Sequence, residues 1–160
     1  MNSTATLFCS LVIAGVSLVG LPAPDLHAQE QGAIEKQIRS VLQAQQDAWN
    51  RGDIDSFMNG YARSSSTKFV SEDKVTLGWE TVRDRYLKKY SDRAKMGTLN
   101  FSDLEITQFG PDAALAVGSW RLKREKDEPH GRFTLIFRLT NDGWRIVYDH
   151  TSAAASSVKS

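Results

Sequence analysis

Cysteine and histidine are scarce in this chain of 160 residues, which has one cysteine and three histidines. Cys9 lies in an apolar segment near the N-terminus, so the rest of the chain has no disulfide, thiolate metal site or cysteine nucleophile. Only His130 and His150 follow residue 27, which gives no support to a histidine-rich metal site. Phosphate-loop, dinucleotide-binding and Ser–His–Asp motifs are also missing. We therefore expect neither a metal nor a cofactor.

An excess of one charge sign is missing as well. The chain has 20 Lys and Arg residues against 19 Asp and Glu residues, a formal net charge of +1. Because nucleic-acid binding needs a clear basic excess, this balance argues against nucleic acid as the main partner. With 41% hydrophobic and 24% charged residues, the composition is that of one ordinary globular domain.

The only long apolar run extends from Leu7 to Leu21. A run of about 15 residues is typical of a signal peptide and short for a membrane span. Pro22 and Pro24 follow it, and Ala28 is a suitable last residue before cleavage. We predict a signal peptide at 1–28, a periplasmic or secreted protein, and no membrane contact after cleavage. An uncleaved N-terminal anchor or a buried apolar arm is the alternative.

Helical periodicity dominates the first half of the remaining chain. After a polar lead-in at 29–32, apolar residues recur at helical spacing over 33–49, and Gly52 can end that helix in the left-handed conformation. Asp53 can cap a short second helix at 54–61. A small strand pair and a third helix are then predicted, at 68–77 and 79–90.

A period of two takes over in the second half. It predicts strands at 99–109, 113–124, 131–140 and 144–151, separated by short turns. Short links favour antiparallel pairing, and a block of helices before a block of strands indicates an α+β fold. We predict three N-terminal helices packed on a strongly curved, mainly antiparallel sheet, with a hollow between them. The small, polar residues 153–160 are expected to form a disordered tail.

Several short motifs occur in a recognisable order. They are WNRGD at 49–53, GW at 78–79, GSWRL at 118–122, GRFTLIFR at 131–138, and GWRIV at 143–147 followed by DHTS at 149–152. In these motifs residues 33–152 resemble the nuclear transport factor 2-like superfamily, and most of all its SnoaL-like branch. The C-terminal strand is also similar to that of the calcium/calmodulin-dependent protein kinase association domain. The resemblance implies a cone-shaped fold with a pocket, but the superfamily hosts isomerases, cyclases, hydrolases, binding modules and oligomerisation domains.

The last predicted strand offers the first candidate site residues. Alternation places Tyr148 and His150 on the same face as the apolar Trp144 and Ile146, and that face must pack on the helices unless a bulge resets the register. We therefore predict that Tyr148 and His150 line the hollow, where His150 can act as a general acid or base. The alternative is a structural histidine that is hydrogen-bonded to a loop carbonyl.

Two further candidates come from the resemblance. Arg121 lies near the position of a pocket arginine in the kinase association domain, which implies pairing with a carboxylate ligand; otherwise it is a solvated arginine at a strand end. Asp103 shares a predicted strand face with Phe101. Beside Tyr61 or Tyr148 it would imitate the acid and the oxyanion-binding tyrosine of steroid isomerases, and otherwise it belongs to a charged outer face.

The helical aromatics are predicted to build the pocket wall. Trp49, Tyr61 and Tyr86 recur at helical spacing, and aromatics in such patterns usually pack rather than react.

We interpret the protein as an exported domain that binds a small apolar or mixed molecule, which can carry an acidic group. The alternatives are a cofactor-independent acid–base enzyme of the ketosteroid isomerase, cyclase or hydratase kind, and an oligomerisation or protein-interaction module.

Apolar residues on both faces of the predicted strand at 113–124 predict a homodimer through the outer sheet face.

Overall fold

The computed structural model describes residues 26–154, with side chains from residue 29 onward. The predicted signal peptide therefore lies almost entirely outside the described residues, as do residues 155–160 of the predicted tail, and export stays a prediction. Within the described part of the chain, no helix is both long and apolar enough to span a membrane.

Within the described residues, four helices precede the long strands: α1 (Leu26–Arg51), α2 (Ile54–Met58), α3 (Trp79–Lys89) and α4 (Arg93–Met96). Helix α1 begins before the predicted position 33, because the polar lead-in is rich in Gln and Glu, which are good helix formers. The single turn α4 lies between the predicted third helix and the first predicted long strand, where the sequence analysis predicts no element. Its amino end is capped by Asp92, whose carboxylate accepts a hydrogen bond of 2.9 Å from the Lys95 amide.

The junction between α1 and α2 has the predicted caps. Gly52 adopts a φ of +85°, a conformation that side chains with a Cβ rarely take. The Asp53 carboxylate accepts a hydrogen bond of 2.9 Å from the Ser56 amide at the start of α2. These two residues turn the chain sharply, so that α2 packs beside the C-terminal end of α1.

The six strands found in residues 26–154 form one sheet. They are β1 (Lys68–Ser71), β2 (Lys74–Leu77), β3 (Thr98–Gln108), β4 (Ala113–Lys123), β5 (His130–Thr140) and β6 (Gly143–Ala153). Their spatial order is β2-β1-β6-β5-β4-β3, and every pairing is antiparallel except that of β1 with β6. Strand β6 ends at Ala153, which the sequence analysis had placed in the tail.

The helices cover one face of this sheet. Helix α1 is attached to β3 by hydrogen bonds in which the Asn50 amide group bonds both backbone groups of Leu99, at 2.7 and 3.0 Å. Gln46 accepts another, of 2.7 Å, from the Phe101 amide. Ile38, Leu42 and other apolar residues of α1 are buried in the core that this contact creates. The predicted α+β fold, with N-terminal helices on a curved sheet, is confirmed.

Candidate functional site

A cavity of about 130 Å³ lies between the helices and the inner face of the sheet. Aromatic side chains are the largest group among the residues that line it: Trp49, Phe57, Tyr61, Phe69, Tyr86, Tyr90, Phe101, Trp120 and Phe133. Leu99, Leu122, Leu135 and Ile146 are among the aliphatic residues that complete it. A wall of this kind favours apolar, flat molecules, because rings on several elements can contact them at once.

The aromatic residues hold one another in place. The ring centroids of Trp49 and Phe57 lie 5.2 Å apart and those of Trp49 and Tyr90 lie 4.7 Å apart, both edge to face. Tyr86 packs against Phe57 at 5.2 Å and against Phe69 at 5.7 Å. Each contact of this type adds about 0.5–1.5 kcal/mol beyond the area it buries. The wall is therefore preorganised by contacts among α1, α2, α3 and β1.

One carboxyl group lies inside this aromatic cavity. Asp149 of β6 lines it and is only 3% exposed. Its Oδ2 accepts a hydrogen bond of 2.6 Å from the Tyr61 hydroxyl, and its Oδ1 accepts one of 2.7 Å from Thr151. The Tyr61 and Tyr86 hydroxyls lie 3.4 Å apart, which extends the chain of hydroxyl groups toward α3.

Burial changes the acidity of these groups. It raises the pKa of Asp149 to about 6, even though the hydrogen bonds from Thr151 and Tyr61 act in the opposite direction. Burial and the nearby Asp149 charge raise the pKa values of Tyr61 and Tyr86 well above their ordinary range. Near neutral pH, Asp149 is therefore the group in the cavity that can gain or lose a proton, while both tyrosines stay neutral.

The mouth of the cavity carries charge. Glu72, Arg85 and Lys89 line the cavity and are partly or fully exposed, so they stand where the cavity meets solvent. Glu72 lies in the turn between β1 and β2, and the two cations lie on α3. The sequence analysis singled out none of these three residues, because exposed charges on a helix or a turn have no distinctive pattern.

A β-bulge in β6 decides which residues face the cavity. In the pairing with β5, Phe137 faces Ile146 and Ile136 faces Tyr148, so Val147 is an extra residue. The inward positions consequently change from Trp144 and Ile146 to Asp149 and Thr151.

The predicted inward placement of Tyr148 and His150 is therefore wrong. His150 is exposed, and neither residue lines the cavity. Strand alternation alone could not find Asp149. The strand begins with buried residues, and the polar residues at 149 and 151 are consistent with a change of register after them.

The predicted placement of Asp103 beside Phe101 is also wrong. A bulge in β3 separates the two residues, and Asp103 has a φ of +53° at this point. Phe101 lines the cavity, whereas the Asp103 side chain is 64% exposed and its Oδ2 lies 3.9 Å from Nη1 of Arg132. Asp103 therefore belongs to the charged outer face that was the alternative interpretation.

Arg121 does not reach the cavity either. Its side chain is 54% exposed, and its Nη1 lies 3.0 Å from the Glu128 carboxylate. It borders a separate cleft on the outer side of the sheet, together with Asp103 and Arg132. The structure thus gathers Trp49, Tyr61 and Tyr86 from the predicted set in the cavity and leaves Asp103, Arg121, Tyr148 and His150 outside it.

No metal-binding cluster accompanies the site. Among the residues that the structure describes, His, Cys, Asp and Glu side chains nowhere form a group of three that could hold a metal ion. Inside the cavity, Asp149 and the tyrosine hydroxyls can form hydrogen bonds with a ligand, and Asp149 can also transfer a proton.

The sequence and the structure both have relatives. The SnoaL-like domain matches residues 38–156. A nuclear transport factor 2-like protein of unknown function from Shewanella oneidensis MR-1 is 39% identical, with a TM-score of 0.71, over 74% of this chain and 98% of that one. No curated protein matches the chain.

Two more distant structures are similar in fold. A putative scytalone dehydratase from Novosphingobium aromaticivorans DSM 12444 has a TM-score of 0.68 at 7% identity, over 79% of this chain and 88% of that one. A ketosteroid isomerase-like protein from Erwinia carotovora atroseptica SCRI1043 has a TM-score of 0.60 at 16% identity, over 75% of this chain and 95% of that one. At these identities the likeness concerns the fold alone.

Proposed function

The chain belongs to the SnoaL-like family of the nuclear transport factor 2-like superfamily, and from this premise we propose that it binds a small, largely apolar molecule in the cavity. The observation that carries the proposal is the buried Asp149–Tyr61 pair in a cavity that is lined mainly by aromatic and aliphatic side chains. A buried carboxyl is costly, so its retention at a cavity surface points to a role in contacting a ligand.

The pair sets the polarity of the ligand's inner end. When Asp149 is protonated it can donate a hydrogen bond to a ligand carbonyl, and when it is ionised it can accept one from a ligand hydroxyl. A charged acid at that end would be repelled by the ionised carboxylate. The ligand is therefore a flat apolar molecule with a neutral polar group on its inner end.

A neutral probe tests this proposal. We expect 2-naphthol to bind to the purified protein with saturation, as followed by isothermal titration calorimetry. Asp149→Ala should weaken that binding by about tenfold, because the buried hydrogen bond to the probe is lost. Native mass spectrometry of the same preparation would in addition identify a compound that co-purifies with the protein.

The neighbouring residue on the outer face supplies a matched control. His150→Ala changes a side chain that is exposed and does not line the cavity, so binding of 2-naphthol should be unchanged. If the Asp149→Ala and His150→Ala variants bind 2-naphthol with the same affinity, the Asp149–Tyr61 pair does not contact the ligand. If the wild-type protein shows no saturable binding, the proposal is wrong.

An acid–base enzyme is the second candidate. The observation that favours it is an Asp149 whose pKa of about 6 lies near neutral pH, inside a cavity shielded from bulk water. As a carboxylate it could take a proton from a carbon next to a ligand carbonyl, and it could then return that proton to the same or another carbon. Tyr61, which donates a hydrogen bond to Asp149, would hold the base in position.

Deuterium exchange of 2-tetralone separates this candidate from simple binding. Nuclear magnetic resonance in D₂O would follow the loss of protons next to the carbonyl. For an enzyme, the rate should exceed that in buffer, rise with pH as the Asp149 carboxyl with its pKa of about 6 ionises, and fall to the buffer rate in Asp149→Asn. If the wild-type protein exchanges these protons no faster than buffer does, the enzyme candidate fails and only the proposed binding function remains.

The interaction-module alternative has less support. It requires side chains to fill the space between helices and sheet, whereas a cavity of about 130 Å³ lies there.

Export of the binding domain remains part of the proposal and rests on the apolar run at Leu7–Leu21. Intact mass of protein from its native host should correspond to a chain that begins at Gln29, and a mass that includes residues 1–28 would contradict export by cleavage.

A further inference from the structure

Two cations at the mouth of the cavity have no carboxylate partner among the side chains that the structure describes. Arg85 and Lys89 are four residues apart on α3, so they lie on the same side of the helix, and both line the cavity. None of the salt bridges formed within residues 29–154 involves either side chain. Arg83, on the same helix, is by contrast paired with Asp55.

Aromatic rings orient the two cations. The Arg85 guanidinium carbon lies 4.9 Å from the centroid of the Phe69 ring, and Lys89 Nζ lies 5.5 Å from that of Tyr90. The flat face of the Arg85 guanidinium packs against Phe69. Along the edge of the guanidinium, Nη1 donates one hydrogen bond, of 3.3 Å, to the Thr76 hydroxyl. The remaining N–H groups of that edge are suited to bind both oxygens of a carboxylate.

Asp149 fixes the direction in which an acid would enter. It is the buried acidic side chain of the cavity, so an anionic group is disfavoured at the inner end and favoured at the mouth. Glu72 offsets one of the two positive charges there, which leaves the mouth with a net positive charge.

We infer that the cavity selects aromatic carboxylic acids, which bind with the ring among the aromatic side chains and the carboxylate between Arg85 and Lys89. This inference rests on the proposed binding function and deepens it, because it names the ligand class and two residues that determine specificity. Neither residue was a candidate from the sequence, and Arg121, which was expected to pair with an acidic group, lies elsewhere.

A pair of probes of equal shape tests the inference. 2-Naphthoate and 2-naphthamide differ in charge but hardly in size. We expect the wild-type protein to bind 2-naphthoate about tenfold more tightly than 2-naphthamide, because the carboxylate forms two charge-assisted contacts in a partly desolvated mouth. That preference should shrink as ionic strength rises, because both cations are open to solvent.

Variants on α3 assign the preference to particular residues. Arg85→Met and Lys89→Met should each weaken naphthoate binding and leave naphthamide binding unchanged. Lys88→Met removes the same charge from an exposed position outside the cavity and should have no effect. Glu72→Gln should strengthen naphthoate binding, since it removes the negative charge that Glu72 places at the mouth.

The outcomes separate this inference from the proposed function. Equal affinity of the wild-type protein for both probes would overturn the inference and leave the binding function intact. A naphthoate preference that survives in the double variant Arg85→Met/Lys89→Met would also overturn it. If neither probe binds, the binding function and the inference both fail. Circular dichroism of each variant, together with Arg85→Lys as the charge-preserving substitution, distinguishes loss of the site from loss of the fold.

Discussion

At the scale of single residues, the site depends on a carboxyl group that is kept out of water. Asp149 is buried beside Tyr61 and Thr151, whose hydroxyls both donate hydrogen bonds to it. These bonds compensate only part of the lost hydration, because the pKa of Asp149 is still raised to about 6. The protein thus keeps an acid with an altered pKa at the surface of its cavity, at a cost in stability.

This cost predicts a dependence of stability on pH. The pKa of Asp149 is about 6 in the folded protein and 3.8 as an ordinary carboxyl, so the unfolded chain releases the proton first as the pH rises. Wild-type stability should therefore fall between about pH 4 and 6, by up to about 3 kcal/mol, relative to Asp149→Asn. Urea denaturation of both proteins from pH 4 to 7 measures the difference.

An exposed carboxylate provides the comparison for that experiment. Asp142 lies in the turn between β5 and β6, and Asp142→Asn should show no such slope relative to the wild type. A stability difference between the wild type and Asp149→Asn that is constant over this pH range would show that Asp149 has the same pKa in the folded and unfolded chains.

At the scale of elements, strand pairing determines which side chains reach the cavity. One extra residue in β6 and one in β3 change the facing of everything that follows them in each strand. Strands β5 and β6 also approach closely near Gly131 of β5, which pairs with Trp120 of β4 on one side and with Ala153 of β6 on the other. A Cβ at Gly131 would overlap the carbonyl oxygen of Ser152.

Two glycine substitutions should consequently have opposite effects. Gly131→Ala should destabilise the protein by about 1–3 kcal/mol, because strands β5 and β6 must separate to accept the methyl group. Gly32→Ala, in the exposed part of α1 with no heavy atom nearby, should stabilise it by about 0.5–1 kcal/mol. Thermal unfolding of both variants tests this expectation, and a Gly131→Ala protein as stable as the wild type would contradict the close approach.

At the scale of the whole molecule, the sheet has an outer face that none of the helices within residues 26–154 covers. Leu115, Ile136 and Tyr148 lie side by side there on three adjacent strands, and Ile136 is 37% exposed. Val117, on the same face of β4, is partly exposed. An apolar row on an uncovered face is typical of a subunit interface, so the predicted homodimer remains our expectation.

Light scattering at micromolar concentration tests the dimer. The wild-type protein should have twice the mass of one chain, and Ile136→Lys should shift it toward the monomer because it introduces an unpaired charge in the apolar row. Val75→Lys alters an exposed residue of the β2 edge and should leave the mass unchanged. A wild-type protein that is monomeric at this concentration would rule out the interface.

Local chemistry explains why much of the fold could be predicted from the sequence. Gly52 and Asp53 end and begin helices through their own backbone and side-chain preferences, which depend on few neighbours. The aromatic residues Trp49, Tyr61 and Tyr86 also lie in the wall of the cavity, as predicted. Tyr61 does so from outside the predicted helix at 54–61, because α2 ends at Met58 and Tyr61 pairs with Ile146 of β6. Four long strands with short links similarly left little choice but antiparallel neighbours.

The sequence by itself therefore determined the α+β class, the order of the elements and the aromatic side of the cavity, since these follow from periodicity and short-range capping. Only the tertiary structure decided the polar side. Whether Asp149 or His150 points inward depends on the bulge at Val147, which is a feature of how β6 pairs with β5. Likewise Arg85 and Lys89 reach the cavity mouth only because α3 packs against β1. Alternation within one strand or helix contains no information about how that element pairs with its neighbours, because one extra residue on either partner reverses the facing.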